Sequence, residues 1–211
     1  MTGLRDRKKR EQRLRIIQAA ARLITDKGLD ATTMEDVAAA ADVSVGTVYN
    51  YFGSKKALLL AGVAEDTERM VAAGTSVLSR PGPDPAGAVK RLTSVYLDDF
   101  LTWDPRLLRE VLSAAFQRFG GEEITMELAA MDQRLIEQMM ELLAHFHAKG
   151  ELRRGVEVYD ATLLIFSVFV LQLFMFISIE GFPVADLKRQ VDRQIELAFA
   201  GLCEVEKAKR Q

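Results

Sequence analysis

Within residues 33–56, TMEDVAAAADVSVGTVYNYFGSKK, the groups able to do chemistry are hydrogen-bond donors and acceptors rather than nucleophiles. Ser44, Gly46, Thr47, Tyr49 and Asn50 combine small size with hydroxyl and amide groups over two turns of chain. Such a set suits a DNA groove: small residues let the backbone approach a phosphate, and polar side chains one turn on can pair with base edges. Thr47 can offer a methyl to a thymine, or a hydroxyl to a base or phosphate. Lys55 and Lys56 open a following helix and can hold phosphates beside its N-terminal amides. The elements that position this set follow from the apolar residues. Met34, Val37, Ala38, Val43, Val48 and Phe52 recur at helical spacing and can pack as one small core, turning the polar set outward. The segment is a predicted helix-turn-helix: two short helices, a tight turn between them, and a second turn into a longer helix.

Charge is unevenly distributed around this segment. The 211 residues carry a net charge of −2. Residues 1–60 hold 11 Lys/Arg against 7 Asp/Glu, a net of +4, which leaves −6 for the rest. The excess lies in Arg5, Arg7, Lys8, Lys9, Arg10, Arg13 and Arg15, a basic N-terminal arm ahead of the first apolar stripe. A basic end on an acidic body fits a protein that presents one end to a polyanion, with a solvated tail as the plain alternative. The single Cys203 excludes an internal disulfide and fits a reducing cytoplasm. No apolar stretch follows the basic residues, so a secretory signal is not expected.

Almost all of the chain has helical patterning. Leu14, Ile17, Ala21 and Ile24 form one stripe, ended by Lys27-Gly28. Thr32 and Thr33 offer N-caps to the next helix, Ser44 to the third, and Ser54 to a fourth that runs to about Leu78. RPGPDPAG at 80–87 interrupts helix and is the clearest linker. Further helices are expected from about Ala88 to Trp103, from Asp104-Pro105 to Gly120-Gly121, over 122–149, over 160–179 and over 184–206. The fold class is all-α with about nine helices: a DNA-binding domain at 1–60 and a larger helical domain at 61–211.

The run ATLLIFSVFVLQLFMFISI, residues 161–179, contains no charge. As a helix it spans roughly 28 Å, close to the ~30 Å hydrocarbon core of a bilayer. A membrane-anchored helical protein is therefore the alternative reading. Gln172 in mid-run and the absence of basic or aromatic anchors at its end favour a helix buried in a bundle instead. Beside it, Leu187, Val191, Ile195, Ala198, Leu202 and Val205 form a stripe suited to helix packing, whose simplest use is a two-fold homodimer through the last two helices, with packing inside the chain alone as the alternative.

At these residues the chain resembles the TetR family of bacterial transcriptional regulators. The likeness runs over about 14–60: a helix, Lys27-Gly28, TTMEDVA, VSVGTVYNYFGSK and Leu58-Leu59. It implies a homodimer, a palindromic double-stranded DNA operator, and release when a small-molecule effector enters the C-terminal domain. Residue by residue, it places Ser44, Gly46, Thr47, Tyr49 and Asn50 at the DNA and Thr33, Tyr51 and Lys55 at phosphates. One departure is Asp42, where the family usually has Gly. Asp tolerates a left-handed conformation at modest cost, so the turn is expected to survive. The family mostly represses, which makes repressor the better reading.

A ligand cavity needs large, adaptable side chains, and the second domain supplies Trp103, Phe116, Phe119, Met139, Phe146, Phe169 and Met175. Gln172 must find a polar partner, across a dimer or on a ligand. An apolar or amphipathic effector is expected: an aromatic, a fatty acyl compound or a drug-like molecule. His145 and His147 point to different sides of a helix, so neither a metal site nor a cofactor is expected. Without a phosphate-cradling glycine loop or nucleophile elbow, an enzyme is not expected either. Removing residues 1–10 is expected to weaken DNA affinity and flatten its dependence on salt, measured by anisotropy across a salt series; an unchanged slope would put the basic residues off the DNA.

Overall fold

The computed structural model describes residues 3–102, 122–179 and 181–203. Among these are eight α-helices and no strand: α1 (Leu4–Lys27), α2 (Met34–Ala40), α3 (Val45–Phe52), α4 (Lys55–Ser79), α5 (Pro85–Phe100), α6 (Glu122–Ala148), α7 (Val158–Ser178) and α8 (Val184–Leu202). The helix expected to restart at Asp104-Pro105, and Val205 and Glu206 at the expected end of the last helix, lie outside the described residues. The described residues group into two compact units, 3–67 with 122–131 and 68–102 with 132–203.

In the first unit, α1 begins at Leu4, so the basic residues expected on a separate arm form the opening turns of a helix instead. The reason is local. LRDRKKREQRLR contains no Gly, Pro or β-branched residue, Asp6 lies in the first turn, and Arg7 pairs with Glu11 one turn on at 3.5 Å. Further along, α1 buries Ile16, Ile17, Ala19, Ala20 and Ile24, while Ala21, expected on that stripe, is exposed. Gly28 ends the helix at φ 87. Thr33 then caps α2 in a reciprocal box: its hydroxyl accepts from the Asp36 amide, and the Asp36 carboxylate accepts from the Thr33 amide. Met34, Val37, Ala38, Val48 and Phe52 are buried as expected, with Val43 half-buried.

In the second unit, α5 starts earlier than expected. Asp84 accepts from the Ala86 and Gly87 amides and Pro85 takes the first turn, so the linker's last Asp-Pro pair is a helix start rather than a break. α8 packs on α7 and α5. Its stripe Leu187, Val191 and Ile195 is fully buried inside the chain, so these residues are core and not the partner surface the sequence suggested. α7 is long and apolar enough to cross a membrane, yet it presents one buried side, Ala161, Ile165, Phe169, Leu173 and Ile177, to the unit's core. With the helix built into a bundle in this way, the membrane alternative finds no support.

One polar chain crosses this core. The Tyr96 hydroxyl of α5 donates to Gln138 Oε1 of α6 at 2.7 Å, and Gln138 Nε2 donates to the Val71 carbonyl of α4 at 2.7 Å. Burial pushes the Tyr96 phenol far above its usual range, so it remains a donor. The approach depends on Gly74: a Cβ there would stand 2.3 Å from Gln138 Oε1 and 2.9 Å from Leu92 Cδ1. In an open helix Gly→Ala gains about 1 kcal/mol. Here overpacking, about 1–3 kcal/mol, and disruption of the buried hydrogen bonds oppose that gain. Gly74→Ala is therefore expected to lower stability by about 1–2 kcal/mol in urea unfolding.

Candidate nucleic-acid interface

The direction of α3 is set by the turn before it. Asp42 takes φ 54, the one positive value at a non-glycine among the described residues. The Val43 amide donates to the Ala38 carbonyl at 3.0 Å and the Asp42 amide to the Ala39 carbonyl at 3.3 Å. That pair is a Schellman closure of α2, made with Asp in the position that glycine usually fills. Ser44 immediately caps α3: its Oγ accepts from the Thr47 amide at 3.2 Å and lies 2.8 Å from Thr47 Oγ1. Gly53 closes the helix at φ 69.

α3 thus buries Val48 and Phe52 and turns Gly46, Tyr49 and Asn50 outward, with Thr47 half-buried and Tyr49 47% exposed. These residues and Ser44 share one outward surface in the first unit. The three residues expected at phosphates each hold a structural bond. Thr33 supplies the cap of α2. The Tyr51 hydroxyl donates to Gln12 Oε1 at 3.2 Å and the Lys9 carbonyl at 3.3 Å. Lys55 Nζ donates to the Leu29 and Asp30 carbonyls. The half-buried Tyr51 and Lys55 therefore fasten α1 and the α1–α2 loop to the elements that carry the polar surface.

The residues expected around a ligand are divided. Trp103, Phe116 and Phe119 lie outside the described residues. Met139 and Phe146 are buried two turns apart on α6, and Phe169 and Gln172 are buried on α7, whereas Met175 faces outward beside Leu171. Phe169 centres an aromatic cluster: its ring lies 5.9 Å from Tyr96, 6.0 Å from Phe100 and 6.1 Å from Phe166. Tyr96 and Phe100 were missed from sequence, although their i, i+4 spacing marks them as one face of α5. Gln172 Oε1 is buried with no hydrogen-bond partner among the described residues. Leaving such an acceptor unpaired costs about 1–3 kcal/mol. A separate open groove of about 460 Å³ runs between α4 and α6, lined by Val71, Thr75, Leu78, Ser79, Arg134, Glu137, Gln138 and Glu141, and includes none of the expected ligand residues. Among the described residues no group of three or more His, Cys, Asp or Glu could hold a metal ion.

The helix-turn-helix also carries a titratable tie. The Lys27 ammonium, 2.6 Å away, and then the Thr33 amide hold the Asp36 carboxyl below its ordinary 3.8, down to about 2. A depressed carboxylate contributes stability that is present above its unfolded value and lost as pH falls through the folded one. Replacing Asp36 with Asn is expected to lower the unfolding midpoint at neutral pH, and the gap from wild type should close as pH falls from about 4 to about 2. A gap that stays constant with pH would remove the ion pair as its source.

Comparison with known proteins places this arrangement. Residues 16–61 match the family model of bacterial regulatory proteins of the tetR family. The HTH-type transcriptional repressor KstR of Rhodococcus jostii is 36% identical over 107 residues, which cover 51% of this chain and 48% of that protein. The chain thus matches about half the length of this curated relative. Among solved structures, a TetR transcription regulator from Haloarcula marismortui superposes with a TM-score of 0.74 at 17% identity, over 92% of this chain and 99% of that one. FadR from Bacillus subtilis, solved with stearoyl-CoA, gives 0.71 at 19% identity, over 89% and 98%. At such identities these two likenesses speak of fold alone. The helix-turn-helix of α2 and α3 lies inside the matched residues, so residues 16–61 form a DNA-binding segment of the kind found in the tetR family of bacterial regulatory proteins.

Proposed function

We propose that the chain is a sequence-specific DNA-binding repressor, released from a palindromic operator by a small apolar or amphipathic ligand. The observation that carries the proposal is α3 itself: capped by Ser44, anchored through Val48 and Phe52, and presenting Gly46, Thr47, Tyr49 and Asn50 on its open face. In this reading residues 1–60 are the DNA-binding domain and 61–211 the ligand-binding and dimerisation domain. Tyr49 and Asn50 read base edges, while Ser44, Gly46 and Thr47 allow close approach to the backbone.

A palindromic operator needs two copies, with recognition helices about 34–36 Å apart. The homodimer still uses the last two helices, but through the faces left open: Leu164, Leu171 and Met175 of α7, and Leu197 of α8, which is 67% exposed. The effector site is placed at the aromatic cluster around Phe169, with Gln172 Oε1 aligning a donor group of the ligand. FadR of Bacillus subtilis, with its stearoyl-CoA, makes long-chain acyl-CoA the first ligand class to try. The ligand can weaken DNA binding only by preferring the dimer geometry that misfits the operator. Such a protein acts in the cytoplasm, on chromosomal DNA.

The test is fluorescence anisotropy of the full chain on the DNA upstream of its own gene, against a scrambled duplex, with Tyr49→Ala as control and stearoyl-CoA as added ligand. Selective binding that is lost in Tyr49→Ala and reversed by the acyl-CoA is expected. Gln172→Leu is expected to keep DNA binding, raise stability by about 1–3 kcal/mol, and blunt the response to ligand. Equal binding to both duplexes, unaffected by Tyr49→Ala, would overturn the DNA reading.

A further inference from the structure

The opening turns of α1 and the exposed side of α3 flank an open cleft of about 660 Å³ within the first unit, lined by Asp6, Lys9, Arg10, Arg13, Thr47, Asn50 and Tyr51. One wall is cationic and the other carries the polar groups of the recognition helix. The cations differ in their ties. Arg13 lies 3.4 Å from Glu65 of α4 and stacks over the Phe52 ring at 5.6 Å, and Arg10 reaches the same carboxylate at 4.0 Å. Lys9 has no carboxylate partner among the described residues. Its backbone carbonyl instead receives the Tyr51 hydroxyl, and Gln12, three residues along, receives it as well. The link joins the last turn of α3 to the second and third turns of α1, which holds the cationic wall against the helix that carries Thr47 and Asn50.

From this juxtaposition we infer that the cleft takes one phosphodiester of the DNA backbone, bound by Lys9 within the field of Arg10 and Arg13, and that Tyr51 is a positioning residue for this wall rather than a phosphate contact. The inference rests on the DNA-binding reading above and adds a second, preformed phosphate site on α1. Three cations outweigh the two carboxylates beside them, Asp6 and Glu65, so the cleft favours an anion. A wall already ordered as helix loses less conformational freedom on binding than a flexible arm would. A phosphate contact fixes register without carrying sequence information, so its loss weakens all duplexes alike.

The experiment uses the full chain and a duplex recovered with it by selection from a random-sequence library, with a scrambled duplex beside it, by anisotropy across a salt series. Variants are Lys9→Gln, Tyr51→Phe, their combination, Asp6→Asn and Tyr49→Ala, each checked for unchanged helix content. Lys9→Gln is expected to lower the slope of log affinity against log salt by about 0.9 and to weaken both duplexes by the same factor. In the Tyr51→Phe background the same change should cost less than in wild type, because the wall is no longer held; a merely structural tyrosine would leave the two costs equal. Asp6→Asn should tighten binding. An unchanged slope in Lys9→Gln, with selective binding intact and lost in Tyr49→Ala, overturns the cleft and leaves the DNA reading standing. Absence of selective binding in wild type, with no effect of Tyr49→Ala, overturns both.

Discussion

A backbone turn that most residues avoid underlies everything the first unit offers to a partner. Asp42 in a left-handed conformation lets α2 close its own carbonyls and release the chain straight into the Ser44 cap. Two helix ends, each with unsatisfied backbone groups, are thereby completed within a few residues of one another. The rotation of α3 about its axis follows, and with it which residues go inward. Val48 and Phe52 enter the core only because the cap fixes where the first turn of α3 starts, and Tyr49 and Asn50 face out as the remainder of the same periodicity. The polar surface is thus a by-product of packing, held by a turn and a cap whose hydrogen bonds are complete within the chain.

The second unit solves a different problem, that of a bundle containing a helix, α7, with no charge from Ala161 to Ser178. Nondirectional packing alone fixes helix register poorly, since one apolar contact is worth about the same as the next. The Tyr96–Gln138–Val71 chain adds direction: an amide in a cavity that only Gly74 leaves open can bond at one register of α4 against α6. Gln172 is the counter-example, a buried acceptor without a partner in the same core. One amide settles the fold, and the other leaves a polar opening in it. Lys90–Glu196 and Lys188–Asp98 tie α5 to α8 at the surface, where solvent keeps such pairs weak.

Much of this was legible in the sequence because it is local. The cap residues Thr33 and Ser44, the core of α2 and α3, and the tolerance of Asp at the turn all follow from positions within a few residues of one another. What was not legible depended on long-range choice. The basic stretch before Leu14 has the charge of a flexible tail and the propensity of a helix, and the structure follows propensity. The stripe Leu187–Val191–Ile195 is equally fit for an internal neighbour or a second copy, and only the placement of α5 and α7 shows that it is already covered. Asp84-Pro85 reads as a break in the sequence because the glycines and prolines around it mask a start signal of the same kind that Asp104-Pro105 carries. Tyr51 and Lys55 also reach the carbonyls of a helix and a loop far away in the chain, contacts that no local pattern announces.

That the basic stretch is helix rather than string has a consequence for how its length can vary between related sequences. Along an extended chain, one added residue moves a charge by a few ångströms and leaves its direction open. Along α1, one residue inserted between Lys9 and Gln12 would swing every side chain ahead of it by about 100° around the axis. Lys9 would leave the side braced by Tyr51, and another residue would take its angular place. Only changes of three or four residues, close to a whole turn, would keep the charges in phase. The cationic wall is therefore a vernier: its reach grows in steps of about 5.4 Å, and lengths between those steps point the charge elsewhere.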